Sequence, residues 1–263
     1  MEPPCPEAEH GHASNLGVRK TIHGYRRRGL VTPKCLLYAA PHLRYDSSVG
    51  GVLGMTAIEV LRYLQQEIHT TVAATADREG RPVTCAIDIM AADENGLYFL
   101  TAKGKGVYTR LKETEYMALT GMKGDDTLSC VAVSVRGKVK ELGGEPLPRL
   151  FDKNPYMKEI YPTPESQKVL TVFQLYEGSG EWFDLSKKPI ERFSFSFGSR
   201  KTEPEGYRIT EACIGCRACE AVCPQHCIDF TTIPAVILAA HCLHCGNCAE
   251  VCPQQAVIRE GAK

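Results

Sequence analysis

Cys213, Cys216, Cys219 and Cys223-Pro224, followed by Cys242, Cys245, Cys248 and Cys252-Pro253, are two copies of one spacing, and they account for eight of the thirteen cysteines in the chain. Three thiols at steps of three residues, in a tight loop, can meet three iron corners of one cubane. In this bacterial pattern the fourth thiol, followed by proline, belongs to the cluster held by the other run, so the two halves staple each other. The expected ligands are Cys213, Cys216, Cys219 and Cys252 for one [4Fe-4S] cluster, and Cys242, Cys245, Cys248 and Cys223 for the other. Such clusters handle one electron at a time, so the chemistry expected here is single-electron transfer. Disulfides, or two zinc sites built from C-x-x-C pairs, are the alternatives. Zinc leaves the third cysteine of each run, the longer last step and the proline without a purpose. Cys227, between the runs, has no place in the pattern and reads as a small buried hydrophobe.

The chain that must carry this module has 263 residues, 43% hydrophobic and 24% charged, enough for one medium domain plus a small one. Its 31 basic and 31 acidic residues balance, which offers no general attraction for nucleic acid or an anionic membrane. No apolar run approaches the length of a membrane span. Tyr25-Arg26-Arg27-Arg28 resembles a twin-arginine export signal, but Pro33, Lys34 and Pro41 interrupt the apolar stretch that should follow. Thiolate-ligated clusters suit a reducing interior, so a cytoplasmic location is expected, with neither membrane nor nucleic acid as partner.

Residues 1–54 carry Pro3, Pro4, Pro6 and four of the eight histidines, with no sustained period. They read as a disordered or misassigned extension, and Cys5, His10 and His12 as tail residues rather than a metal site. From Met55 the pattern sharpens. Thr56 and Glu59 form a capping box, and Ile58, Leu61, Leu64 and Ile68 share one helical face, which predicts a helix over 57–68. Strands are expected at 71–76, 83–90, 97–101, 116–121 and 129–140, the first three joined as hairpins. A proline-rich helical connection, 146–164, leads to strands at 169–177 and 181–185, turning at Gly178-Ser179-Gly180, and to one at 193–197. Six or more antiparallel strands imply a small barrel. The fold class expected is mainly β plus a small α+β module: a barrel over 55–198, a polar linker over 199–206 and the cluster module over 207–263. That module is too small for a hydrophobic core alone, and its clusters act as staples.

The stretch from Leu97 to Leu111 is the most informative outside the cysteines. A strand ends at Thr101, Lys103 and Lys105 sit among glycines, and a helix starts near Gly106. Free backbone N–H groups at a helix start, beside ammonium groups, can hold a phosphate. A solvated lysine turn explains the same residues. The stretch matches neither the P-loop nor the dinucleotide fingerprint.

From about Ile68 to Phe197 the chain resembles the pyridoxamine 5'-phosphate oxidase-like flavoproteins, the FMN-binding split β-barrels. The resemblance rests on an A-T-x-D-x-x-G-x-P hairpin (Ala74, Thr75, Asp77, Gly80, Pro82), a G-L-Y-F-x-T strand and a K-x-V-Y-x-R-L helix start. It implies an FMN-binding split β-barrel followed by a ferredoxin-like 2[4Fe-4S] domain. It also implies that Thr101 and Lys105 hold the FMN phosphate, with Lys103 nearby and Arg110 where glutamine is common. Thr84, Cys85 and Ala86 would lie along the isoalloxazine or ribityl chain. The family builds its flavin site across a homodimer interface. The arginine- and histidine-rich C-terminal motif of the vitamin B6 oxidases is replaced here by Lys188-Pro189-Ile190-Glu191-Arg192-Phe193 and the cluster module, so oxidation of pyridoxamine phosphate is not expected.

A flavin that takes electrons singly and gives them up in pairs, fused to one-electron clusters, makes a converter. The expected function is an FMN-dependent reductase: a donor protein such as a ferredoxin charges the two clusters, which reduce FMN, which reduces a small organic acceptor. An electron carrier between protein partners and a flavin-dependent redox sensor are the other readings. Tyr108, Arg110 and Trp182 could shape a substrate side, although Tyr108 and Trp182 read first as packing residues. No nucleophile or catalytic triad is legible.

Overall fold

The computed structural model describes residues 55–202 and 205–261, and the extension 1–54, with Cys5, His10 and His12, lies outside the described residues. The capping box forms as the sequence predicts: the Thr56 hydroxyl accepts from the Glu59 amide, and the Glu59 carboxylate accepts from the Thr56 amide at 2.6 Å. Helix α1 (Ala57–Tyr63) follows. The expected helix to 68 then widens into one π turn, Leu64–Ile68, ending at His69 with φ +64°. That residue carries backbone strain typical of a site under constraint. Its carbonyl accepts from Ile89 N at 2.8 Å and its ring Nε2 lies 2.8 Å from the Tyr156 hydroxyl.

Eight antiparallel strands make the main sheet: β1 (Thr70–Ala76), β2 (Pro82–Asp88), β3 (Ala91–Asp93), β4 (Gly96–Ala102), β5 (Tyr116–Lys123), β6 (Val131–Gly143), β7 (Leu170–Asp184) and β8 (Glu191–Phe197). The order is β2-β1-β5-β6-β7-β4-β3, with β8 also on β7. Helix α2 (Gly106–Thr114) bridges β4 and β5. Alternating residues close on one core: Leu97 and Phe99, Val133 and Val135, Phe173 and Leu175, and Phe195 are all buried, under Val60, Leu61 and Leu64 of the helical segment. A second apolar layer, with Met90 and Val172 on the sheet side, is roofed by Leu150 and Phe151 of α3 (Leu147–Lys153).

Two expectations are corrected. Gly178-Ser179-Gly180 is not a turn, because β7 runs unbroken for 15 residues. These glycines are where β7 changes partner from β4 to β8, and their missing side chains leave room for the Phe195 and Phe197 rings; a Cβ on Gly180 would lie 2.5 Å from Phe195 Cζ and 2.4 Å from the Ser134 carbonyl oxygen. The second hairpin is also different. β4 pairs with the three-residue β3 and with β7, not with β2, so β2 has β1 as its strand partner and forms a sheet edge.

The cysteine-rich end folds as β9 (Gly206–Ile209), α4 (Ala218–Val222), β10 (Ile228–Asp229), β11 (Val236–Ile237), α5 (Asn247–Glu250) and β12 (Val257–Glu260). β12 pairs with β9 and β10 with β11. The sequence repeat is a backbone repeat. Gly215 and His244, Arg217 and Gly246, and His226 and Gln255 occupy equivalent places in the two runs, and all six have positive φ. These left-handed residues turn each loop back toward its own thiols.

Candidate functional site

Each expected ligand set surrounds one cavity. Cys213, Cys216, Cys219 and Cys252 line the first with Phe230 and Ala256; Cys223, Cys242, Cys245 and Cys248 line the second with Cys227 and Ile228. The cavities are equivalent in size, about 340 and 350 Å3 counting the part open to solvent. The thiols are close enough to oppose one another's ionisation. Burial pushes the Cys219 thiol up, and Cys213, Cys216 and Cys252 raise it further. Cys248 is pushed up to about 11 by burial and by Cys242 and Cys245. Thiolates crowded into an apolar cavity require a positive centre between them, which irons supply. The residues therefore fit the clusters.

Cys227 is 3% exposed, as a small hydrophobe would be, but it is not inert. Its Sγ lies 3.6 Å from Cys223 Sγ, and it is the main cause that holds the neighbouring Cys242 thiol low, at about 6. The second loop also touches the barrel. Arg192, at the start of β8, donates to the Leu243 carbonyl at 3.2 Å while paired with Glu181, and His241 Nδ1 donates to the Ile190 carbonyl at 2.7 Å. The cavity lined by Cys242 and Cys245 is thus the barrel-side one. Burial first and Arg192 second push the His244 imidazole, within this loop, below its usual range.

In the barrel, Thr101 is the penultimate residue of β4 and 1% exposed, and its Oγ1 has no hydrogen-bond partner, alone among the buried side-chain polar atoms of the described residues. Lys105 stands at the N-cap of α2 in extended conformation, and no side chain caps the first turn of that helix. Arg110 folds back along the helix, with Nη1 3.0 Å from where a Gly106 Cβ would stand and Nε donating to Thr75 Oγ1 at 2.7 Å. Burial pushes the Cys85 thiol up, and the nearby Arg110 and Lys105 partly offset this. An orphaned hydroxyl, an uncapped helix start and two cations fit a bound phosphate.

The Lys103 charge helps to lower Glu141, whose carboxylate accepts from Thr171 Oγ1 at 2.7 Å and pairs with Lys112 at 3.0 Å. Although burial opposes it, these partners hold the Glu141 carboxyl below its usual range. Thr84 and Ala86 are exposed and alternate with Cys85, so they face away from the Lys105 and Arg110 side. Trp182 packs in the core, stacked on Phe193 at 6.0 Å, and Tyr108 meets the edge of Phe173 at 6.0 Å. A groove of about 830 Å3, counting its open part, lies elsewhere, on the outer face of β5 to β8 between Ser134, Arg136, Glu181 and Arg200. The Arg110–Thr75 and Lys112–Glu141 contacts have no sequence signal, because they join residues that only the folded sheet brings together.

Residues 58–182 match the family model for pyridoxamine 5'-phosphate oxidase, and residues 212–256 that for a 4Fe-4S dicluster domain. Among solved structures, the chain is similar to a NimC/NimA family protein from Clostridium acetobutylicum, with 18% identity, TM-score 0.43, and 52% of this chain and 90% of the other covered. It is also similar to a pyridoxamine 5'-phosphate oxidase-related, FMN-binding protein from Nostoc punctiforme, with 11% identity, TM-score 0.40, and 54% and 86% covered. A heme-binding protein from Mycobacterium smegmatis gives 14% identity, TM-score 0.44, and 58% and 64% covered. No curated protein matches the chain. Fold and family models together define a sheet-rich, pyridoxamine 5'-phosphate oxidase-like domain followed by a ferredoxin-type 4Fe-4S domain. The dicluster domain implies two [4Fe-4S] clusters and the barrel implies FMN, so the chain is an iron–sulfur flavoprotein of electron transfer. No helix among the described residues is long and apolar enough to cross a membrane.

Proposed function

We propose that this protein is a cytoplasmic reductase in which two clusters pass single electrons to FMN for the reduction of a small organic acceptor. FMN, when bound, can take up electrons singly and give them up in pairs. The observation that carries the reading is the docking of the Cys242–Cys245 loop onto β8 through Arg192 and His241, which holds one cluster site against the barrel. In this reading Cys213, Cys216, Cys219 and Cys252 hold one cluster, and Cys242, Cys245, Cys248 and Cys223 the other. Thr101 donates its orphaned hydroxyl to the FMN phosphate, and Lys105 and Arg110 neutralise it. Cys85 lies along the cofactor on the same side, Thr84 and Ala86 meet it through backbone at the β2 edge, and Lys103 acts at a distance by balancing Glu141. The parts divide as barrel over 55–198, linker over 199–206 and cluster module over 207–263.

A homodimer completes the flavin site. Its support is the outer face of β1, β5 and β6, where Val72 and Met122, 58% and 65% exposed, extend a surface of small residues, Ala74, Ala118 and Ala132. The donor is a low-potential protein such as a ferredoxin. The second reading, a carrier with no small substrate, is favoured by Ile214 and Ile233, 63% and 56% exposed, near Cys216 at a rim a protein partner can cover. The test is anaerobic: protein reduced at the flavin is mixed with small acceptors and with oxidised ferredoxin. Rapid reoxidation by a small acceptor supports the reductase, and reoxidation by protein partners alone supports the carrier. Absence of FMN from denatured protein removes both.

A further inference from the structure

The two halves of the cluster module differ at one wall position. Counting four residues on from the Cys-Pro cysteine gives Cys227 after Cys223 and Ala256 after Cys252. Both are buried, at 3% and 1% exposure, and each lines the cavity of its own half, Cys227 the second and Ala256 the first. Ala256 places a methyl group against its cavity. Cys227 places a thiol there, 3.6 Å from Cys223 Sγ and lining the same cavity as Cys242, two ligands of the barrel-side set. Reduction of a cluster adds negative charge that spreads onto its ligand sulfurs, and a donor aimed at those sulfurs stabilises the reduced form.

We propose that Cys227 is a positioning residue that makes the clusters unequal: its S–H donates to the ligand sulfur of Cys223 and raises the reduction potential of the barrel-side cluster above that of the other. The consequence is directional. One electron leaves the cluster held by Cys213, Cys216, Cys219 and Cys252, which is oxidised by one unit. The same electron reduces the barrel-side cluster by one unit, no proton moves, and the charge comes to rest where Arg192 and His241 anchor the loop to β8. An external one-electron donor protein refills the first cluster. This rests on the ligand sets proposed above.

The test is a potentiometric titration of the purified holoprotein, followed by electron paramagnetic resonance, with iron and sulfide counted in every sample. C227A is expected to keep both clusters while the higher of the two potentials shifts down toward the lower. C227S, which retains a donor, is expected to hold the gap, and A256C to shift the lower potential up. The inference is overturned if C227A holds two clusters at unshifted potentials, or if C227A loses one cluster, which makes Cys227 a ligand. Wild-type protein with iron for fewer than two clusters overturns the ligand sets and this inference together, and the iron count alone separates that failure from the others.

Discussion

Thr101→Val makes the flavin site testable through two effects of opposite sign. The side chain is 1% exposed and its hydroxyl has no partner, so in flavin-free protein it bears a desolvation penalty of about 1–3 kcal/mol with nothing in return. Valine keeps the shape and removes the polar atom, so the flavin-free barrel is expected to gain about 1 kcal/mol in chemical unfolding. With FMN present the same hydroxyl donates to a phosphate, a bond to a charged group worth about 1.5–3 kcal/mol. FMN affinity is then expected to fall about 10- to 150-fold at 1.36 kcal/mol per decade. Flavin titration of the deflavinated protein by calorimetry reads the second effect, and denaturant unfolding of the same sample reads the first. Unchanged affinity, or a loss of flavin-free stability, would refute the argument that this orphaned hydroxyl marks the phosphate.

Lys105→Ala is expected to weaken FMN about tenfold or more through loss of a charge-assisted contact, with iron content unchanged, read by the same titration and an iron assay. Cys252→Ala should remove the cluster of Cys213, Cys216 and Cys219 and leave the barrel-side cluster, so iron per chain halves; full iron would contradict crossed ligation. Gly180→Ala forces a Cβ to within 2.4 Å of the Ser134 carbonyl oxygen and 2.5 Å of the Phe195 ring, and should cost about 3 kcal/mol in unfolding, the upper end for overpacking. Arg192→Met leaves the carboxylate of Glu181, 30% exposed, unpaired and the Leu243 carbonyl without its donor. The cost is about 2 kcal/mol, between the exposed and buried limits, and cluster-to-flavin transfer in stopped flow should slow while both cofactors are retained.

The clearest sequence signals were local ones. The cysteine spacing and the capping box at Thr56 act within a few residues: the eight thiols lie around two cavities, and a helix starts at Ala57. The β1–β2 hairpin and the start of α2 were legible for the same reason. Gly178-Ser179-Gly180 misled because a glycine pair that makes way for Phe195 and Phe197 has the composition of a turn, and only the neighbouring strand tells them apart. Strand β3, three residues long, is too short for any period to register. In the candidate flavin site Thr101 and Lys105 follow from a strand end and a helix start. The folding back of Arg110 onto Thr75 depends on a contact across 35 positions of sequence. Cys227 was read by its size, whereas its role depends on which sulfurs it meets.

Electrons delivered to the clusters should reach the flavin of the same protein. Rapid anaerobic mixing of the oxidised holoprotein with a substoichiometric one-electron donor, with cluster and flavin absorbance followed separately, measures this. Cluster reduction is expected first, then cluster reoxidation matched in rate and electron count by flavin reduction, at a rate independent of protein concentration. Clusters that stay reduced beside an oxidised flavin, or a rate that rises with protein concentration, would contradict it.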